Sequence, residues 1–235
     1  MLSNNILALG LTFLIALLWL RINDYLAHKG WVPSKISRKI IHVGTGPLFV
    51  LCWLLFDTSN YAPFIAAIVP LGITLQFALV GSGIIKDQSA VEAMSRSGDR
   101  KEILHGPLFY GLAFILLTIL FWRDTAVGIV ALMILCGGDG LADISGSLIG
   151  GRKLPWSKKK TFVGSLTMFL GGFIFSSLMV WVFVEMGYLG GPISSFILPI
   201  LGVAFVTTVV ESLPYENIDN ITVPMVSVLI GLLIF

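Results

Sequence analysis

Lys158-Lys159-Lys160-Thr161-Phe162-Val163 runs directly into Gly164–Val184, GSLTMFLGGFIFSSLMVWVFV, a stretch of 21 residues without a charge. About 20 apolar residues in a helix cross the hydrocarbon core of a bilayer. A lysine cluster at the start of such a helix holds that end at the inner, anionic membrane face. The rest of the chain reads the same way: 56% of residues are hydrophobic, 12% are charged and the mean hydropathy is +0.94. Those values lie outside the soluble-globular range. They predict an all-α, polytopic membrane bundle.

Apolar runs fall near Ile6–Leu20, Ile40–Phe56, Ala62–Val80, Pro107–Trp122, Thr125–Cys136, Gly164–Val184, Ser195–Val210 and Ile221–Phe235. This gives about eight spans, with seven as the alternative, because Thr125–Cys136 and the last run are short for a crossing. Eight spans with the N-terminus outside put 14 of the 15 Lys/Arg on the cytoplasmic side and leave Arg123 alone on the other. The positive-inside rule favours that topology. No basic n-region or cleavage site precedes Ile6–Leu20, so it reads as a retained span. Eight crossings use roughly 160 positions, and the expectation is a single membrane domain over residues 1–235. Cys52 and Cys136 lack metal-ligand spacing and read as packed thiols.

Polar chemistry concentrates in Gly137–Ser165, GGDGLADISGSLIGGRKLPWSKKKTFVGS, read as a loop-like interval after a fifth span that ends near Gly138-Asp139-Gly140. Asp139 and Asp143 are four apart, so on a helix their carboxylates share a face. Such a pair suits Mg²⁺, which takes one or two protein carboxylates while phosphate oxygens complete its shell. An ionisable group at the membrane edge is costly enough that function is its default reading. Gly146, Gly150 and Gly151 allow close approach of a phosphate or of another helix. Arg152, Lys153, Lys158, Lys159 and Lys160 add positive charge, and Thr161, Gly164 and Ser165 open the next helix, whose oriented amides favour anions. The bland alternative is a topological lysine anchor beside a small-residue packing stripe.

Three more polar clusters lie on the same predicted face: Ser37-Arg38-Lys39-Ile40-Ile41-His42, Ser95 to Glu102 with Arg96 and Asp99, and Glu211-Ser212-Leu213-Pro214 through Asp219-Asn220. Arg38 and Lys39 also fit as snorkelling anchors, and Arg96, Asp99, Arg100 and Glu102 as a solvated salt-bridge set. The Glu211–Asn220 segment carries three acids and no base on the side where positive charge is the norm, so it needs a metal or a cationic neighbour. The three histidines lack paired spacing and read as hydrogen-bonding groups.

Together, Arg38-Lys39-Ile40-Ile41-His42, Ser95-Arg96-x-Gly98-Asp99-Arg100-x-Glu102, Gly138-Asp139-x-x-Ala142-Asp143-x-x-Gly146, Lys158-x-Lys160-Thr161-x-x-Gly164-Ser165 and Glu211-Ser212-Leu213-Pro214…Asp219-Asn220-x-Thr222-Val223-Pro224 resemble the polyprenol kinase family. The likeness is strongest to its phytol kinases, with farnesol and dolichol kinases and a CTP-dependent diacylglycerol kinase further off. It runs from about residue 38 to 224.

The resemblance implies transfer of a phosphoryl group from a nucleoside triphosphate, CTP in the best-known members, to the terminal hydroxyl of an isoprenoid alcohol. Asp139, Asp143, Glu211 and Asp219 are then the expected Mg²⁺ ligands. Arg38, Lys39, Arg96, Gly146, Lys153, Lys158, Lys160, Thr161, Gly164 and Ser165 are the expected nucleotide contacts. Asp99, Asp139 and Lys160 are the expected catalytic groups, with Asp99 accepting the alcohol proton and Asp219 or Glu211 as second choices. His42 and Asn220 are expected at the alcohol. The partners are the bilayer, the alcohol and the nucleotide, with no nucleic acid, and the site faces the cytoplasm or an equivalent inner compartment. A phosphatidate cytidylyltransferase shares the Gly-Asp and Lys-Lys pattern and is the nearest rival. A transporter is the rival of another class, and it predicts ionisable groups in mid-span rather than gathered at one end.

Overall fold

A backbone in lipid has no water to bond, so each apolar run has to close its own hydrogen bonds as helix. The computed structural model describes residues 2–95, 98–214 and 218–235, with the side chains of residues 2, 3, 24, 27, 28, 34, 35 and 93 left aside. Among the described residues the secondary structure is helical apart from one isolated bridge, Lys153 to Thr161. Seven segments are long and apolar enough to cross a membrane, and Asp219–Ile234 is a shorter apolar helix of 16 residues. The protein is a polytopic membrane helical bundle.

The chain divides into two compact units, Met1–Ile119 and Leu120–Phe235. The first holds α1 (Leu2–His28), α2 (Ser34–Cys52), α3 (Ala62–Ser82), the short α4 (Gln88–Met94), a 3-10 turn (Arg100–Leu104) and α5 (Gly106–Leu120), whose last residue falls past the boundary. Its buried cluster Ile41, Val80, Val91, Met94 and Ile103 ties α2, α3, α4 and the 3-10 turn together. At the start of α1, Asn5 donates to Asp57 (2.8 Å) and accepts from the Asp57 amide (2.9 Å), which fastens that end to the α2–α3 connection. Bonds from the Ser59 hydroxyl and amide, and from Asn5, hold the Asp57 carboxyl below its usual pKa.

The second unit holds α6 (Ala126–Met133), a π-helical turn (Ile134–Asp139), α7 (Gly140–Leu148), α8 (Phe162–Glu185), α9 (Ile193–Glu211) and α10 (Asp219–Ile234). From Ala126 to Leu148 the first three form one run of 23 residues, more deeply buried than any of the other six long segments among the described residues. This run is the centre of the unit, with α8 and α10 packed on it. The loop-like reading of Gly137–Ser165 is therefore corrected: the helix does not stop at Gly138-Asp139-Gly140 but passes through a π turn and continues to Leu148. The connection to α8 shrinks to residues 149–161. Gly137 sits where α8 crosses so closely that a Cβ on Gly171 would lie 2.6 Å from the Gly137 carbonyl oxygen. Such small-residue contact is how helices associate in lipid, where no hydrophobic gain drives them together. Arg123, the cation expected alone on the far side, is 2% exposed and lies 4.1 Å from the Tyr188 ring centroid and 5.6 Å from that of Trp122.

Candidate functional site

One end of the second unit collects the C-terminus of α7, the N-terminus of α8, the C-terminus of α9 and the N-terminus of α10. Asp139 closes the π turn, Glu211 is the last residue of α9 and Asp219 the first of α10. One carboxylate oxygen from each of these three lies within 4.8 Å of the others. A π turn inserts an extra residue into the helical register and is often found where a side chain has to be re-aimed. Here the re-aimed side chain is Asp139.

Lys160 enters this group from the 149–161 connection. Its ammonium pairs with Glu211 and lies 3.3 Å from Asp219 Oδ2. Burial by itself would lower the Lys160 pKa, but the negative charges of Glu211 and Asp219 and the bond to Glu211 outweigh it and raise the value above 10.5. Lys160 is therefore a fixed positive charge among acids. Its neighbours Lys158 and Lys159 are exposed.

The connection is a small hairpin. Phe162 N–H donates to Arg152 O and Leu154 N–H to Lys160 O, both at 3.1 Å, around the Lys153–Thr161 bridge. The Lys153 ammonium donates to Lys159 O at 2.8 Å. Ser157, buried at the tip, accepts from the amides of Lys159 and Lys160. Thr161 then caps α8, accepting the Gly164 amide at 3.0 Å. Gly146 and Gly164 oppose one another there, a Cβ on either lying 3.9 Å from the other's Cα. The Ser165 hydroxyl is buried without a hydrogen-bond partner among the described residues, and Asn220 is half-buried in the first turn of α10.

The structure thus brings together Asp139, Lys160, Glu211 and Asp219, with Thr161, Gly164 and Ser165 at the adjoining helix start. Asp143 is exposed and lies outside the close group of three carboxylates. The close group is instead drawn from the π turn and from the ends of α9 and α10. The donor set of three carboxylates suits a hard divalent cation of the Mg²⁺ type, which binds oxygen.

In the first unit, Arg38 and Lys39 are half-buried in the second turn of α2. The His42 ring stacks on Tyr110, centroids 4.3 Å apart, and the Tyr110 hydroxyl donates to the His42 carbonyl at 2.7 Å. Asp99 is exposed and accepts the Lys101 amide at 2.9 Å, capping the 3-10 turn. Arg96 lies outside the described residues. Sequence reasoning named Arg100 within a salt-bridge set and missed its structural role: the guanidinium donates to Gly81 O at 3.2 Å and covers Gly83, where α3 ends in the left-handed conformation (φ 83°). It also missed Trp156, whose indole N–H reaches Ser212 O (3.1 Å) and Oγ (3.3 Å). No local signal marks a bond across 56 residues.

No family model matches the chain, and no solved structure resembles it significantly. Curated relatives do match. The chain is 40% identical over 236 residues to a probable chloroplastic phytol kinase 3 of Glycine max, covering 99% of this chain and 73% of the relative. It is 37% identical over 214 residues to the chloroplastic phytol kinase 1 of Arabidopsis thaliana, covering 90% and 70%. It is 35% identical over 237 residues to the chloroplastic farnesol kinase of Arabidopsis thaliana, covering 99% and 76%.

Proposed function

This chain belongs to the phytol and farnesol kinase family of alcohol-phosphorylating membrane enzymes, and from that premise we propose that it transfers the γ-phosphoryl group of CTP to the terminal hydroxyl of phytol or a related isoprenoid alcohol. The observation that carries the assignment of the site is the meeting of Asp139, Glu211, Asp219 and Lys160 at one helix-end cluster. An apolar alcohol partitions into lipid and a nucleotide stays in water, so the reaction needs charged groups at the ends of membrane helices. In this reading the cluster faces the inner compartment, as the basic-residue asymmetry of the sequence supports.

The bond between the β-bridging oxygen and the γ-phosphorus breaks as the alcohol oxygen bonds to that phosphorus, and the alcohol proton passes to a carboxylate. Such transfer is accelerated chiefly by positioning and by electrostatic stabilisation of charge on the moving group. Asp139, Glu211 and Asp219 would hold Mg²⁺, which when bound supplies charge neutralisation at the phosphate oxygens. Lys160 supplies a fixed positive charge beside them. The N-terminal end of α8 favours the anionic nucleotide through the helix dipole, since Phe162, Gly164 and Ser165 N–H already donate to Arg152 O, Thr161 Oγ1 and Thr161 O. The buried Ser165 hydroxyl is costly without a partner, and a phosphate or ribose oxygen would satisfy it. The remaining roles rest on the sequence resemblance alone: Arg38, Lys39 and Arg96 at phosphate oxygens, His42 and Asn220 at the alcohol, and Asp99 as proton acceptor ahead of Asp219 or Glu211.

The test is incubation of purified protein in lipid nanodiscs with phytol, geranylgeraniol, farnesol or diacylglycerol and each labelled nucleotide. Label from the γ position of CTP on the isoprenoid alcohol is the expected result. CMP retained on a lipid, or label only on diacylglycerol, overturns it.

A further inference from the structure

We propose that Trp156 is a positioning residue for Lys160, acting through the hairpin that joins α7 to α8; the inference rests on the phosphoryl-transfer reading above. Trp156 is 54% exposed, so core burial does not explain where it sits. Its indole N–H instead divides between Ser212 O at 3.1 Å and Ser212 Oγ at 3.3 Å. Ser212 is 4% exposed and immediately follows Glu211, closing α9. The last carbonyls of a helix have no partner within it, and the indole satisfies one of them.

Trp156 and Lys160 stand on opposite sides of the hairpin tip, and they attach to adjacent residues of α9, Ser212 and Glu211. Between them the backbone is held by Ser157, whose Oγ accepts the Lys160 amide at 3.2 Å, and by the bond from Leu154 N–H to Lys160 O. The tip therefore has a two-point attachment. Removing the indole bond keeps the hairpin closed through Ser157 and Leu154 but leaves the tip tied to the end of α9 through the Lys160 side chain, and a lysine stem has much rotamer freedom to recover. The interfacial position also suits a tryptophan as a membrane-belt residue. That role requires no bond to Ser212 and no coupling to Lys160.

A double-mutant cycle on the full chain in nanodiscs separates the two. Trp156→Phe keeps an aromatic, though smaller, ring and deletes the N–H; Lys160→Met deletes the charge. Trp156→Phe is expected to lower kcat roughly 2- to 10-fold, the worth of one hydrogen bond, with the KM for alcohol unchanged, and to cause no further loss in the Lys160→Met background. The second readout is Mn²⁺ binding by electron paramagnetic resonance without nucleotide or alcohol. Loss of the lysine counter-ion should tighten Mn²⁺ binding in Lys160→Met, and Trp156→Phe should move it part of the way.

Wild-type kcat in Trp156→Phe, an equal loss in both backgrounds, or Mn²⁺ binding that responds to Lys160→Met alone overturns the proposal. A wild-type protein that phosphorylates no alcohol overturns the kinase reading instead, and the Mn²⁺ measurement still decides the link between Trp156 and Lys160.

Discussion

Charged side chains do different work in the two units. In the first, they finish helices: Asp87 caps α4, Asp99 caps the 3-10 turn, and Arg100 covers the end of α3. In the second, they turn on one another, three carboxylates from separate helices closing around the ammonium of Lys160. A cap satisfies a helix end that exists in any fold and contributes about 1 kcal/mol. A group of like charges held together at a membrane edge opposes folding and is retained only where something else requires it. The contrast is the physical ground for proposing a bound cation at the second group.

The largest expected effect tests the second unit. Asp139→Asn is nearly isosteric and removes one carboxylate from the group of three, so it should abolish measurable turnover, a loss on the order of 10³-fold or more, while the protein still inserts and purifies as wild type. Retained activity in that variant would remove the three-acid site as the centre of reaction. Lys160→Met comes next, with an expected loss of about 10²-fold in kcat, since a positive charge placed for transition-state oxygens is of comparable worth to an oxyanion-hole donor.

Asp99→Asn sharpens the contrast directly. Asparagine caps about as well as aspartate, so if Asp99 only finishes the 3-10 turn the variant stays active, and if it accepts the alcohol proton kcat falls at least 10²-fold. The proposal of Asp99 as base requires the second outcome. Steady-state kinetics on the membrane-reconstituted variant decides between them.

Gly171→Ala probes the packing that aims Asp139. Its Cβ would lie 2.6 Å from the carbonyl oxygen of Gly137, a backbone atom inside the π turn that cannot swing away. Overpacking of this kind costs about 1–3 kcal/mol, and thermal unfolding in detergent should show that loss.

Most of the bundle was legible because lipid leaves hydrophobicity as a direct record of span position. The acid excess of Glu211–Asn220 correctly called for a cation, and the structure supplies Lys160. The length of the fifth span was not legible, since Gly137-Gly138-Asp139-Gly140 carries the composition of a helix end and the packing of α8 and α10 that surrounds a helical turn there is not local in sequence. Asp143, read from sequence as the face-sharing partner of Asp139, is exposed outside the group of three, whose other members come from α9 and α10. Among Lys158, Lys159 and Lys160 the resemblance pointed to Lys158 and Lys160; the structure brings the Lys160 ammonium to Glu211 and Asp219 and leaves Lys158 exposed.

The smallest effect belongs to the first unit and concerns acid. Asp87 accepts the Ser89 hydroxyl at 2.6 Å and the Ala90 amide at 3.0 Å, and these bonds, the hydroxyl first, hold its carboxyl below 3.8. A depressed carboxyl contributes stability that is complete above its unfolded pKa and is lost as pH falls through the folded value. Protonation therefore releases the cap of α4 only below the ordinary carboxylate range, and the α4 contacts of Val91 and Met94 with the cluster around Ile41 loosen with it. Asp87→Asn keeps the cap without the titration, so hydrogen exchange of the α4 amides should rise as the pH is taken below the ordinary carboxylate range in the wild type, after correction for intrinsic rates, and stay flat in the variant. An equal rise in both would mean that α4 is held by packing alone and that Asp87 adds nothing to it.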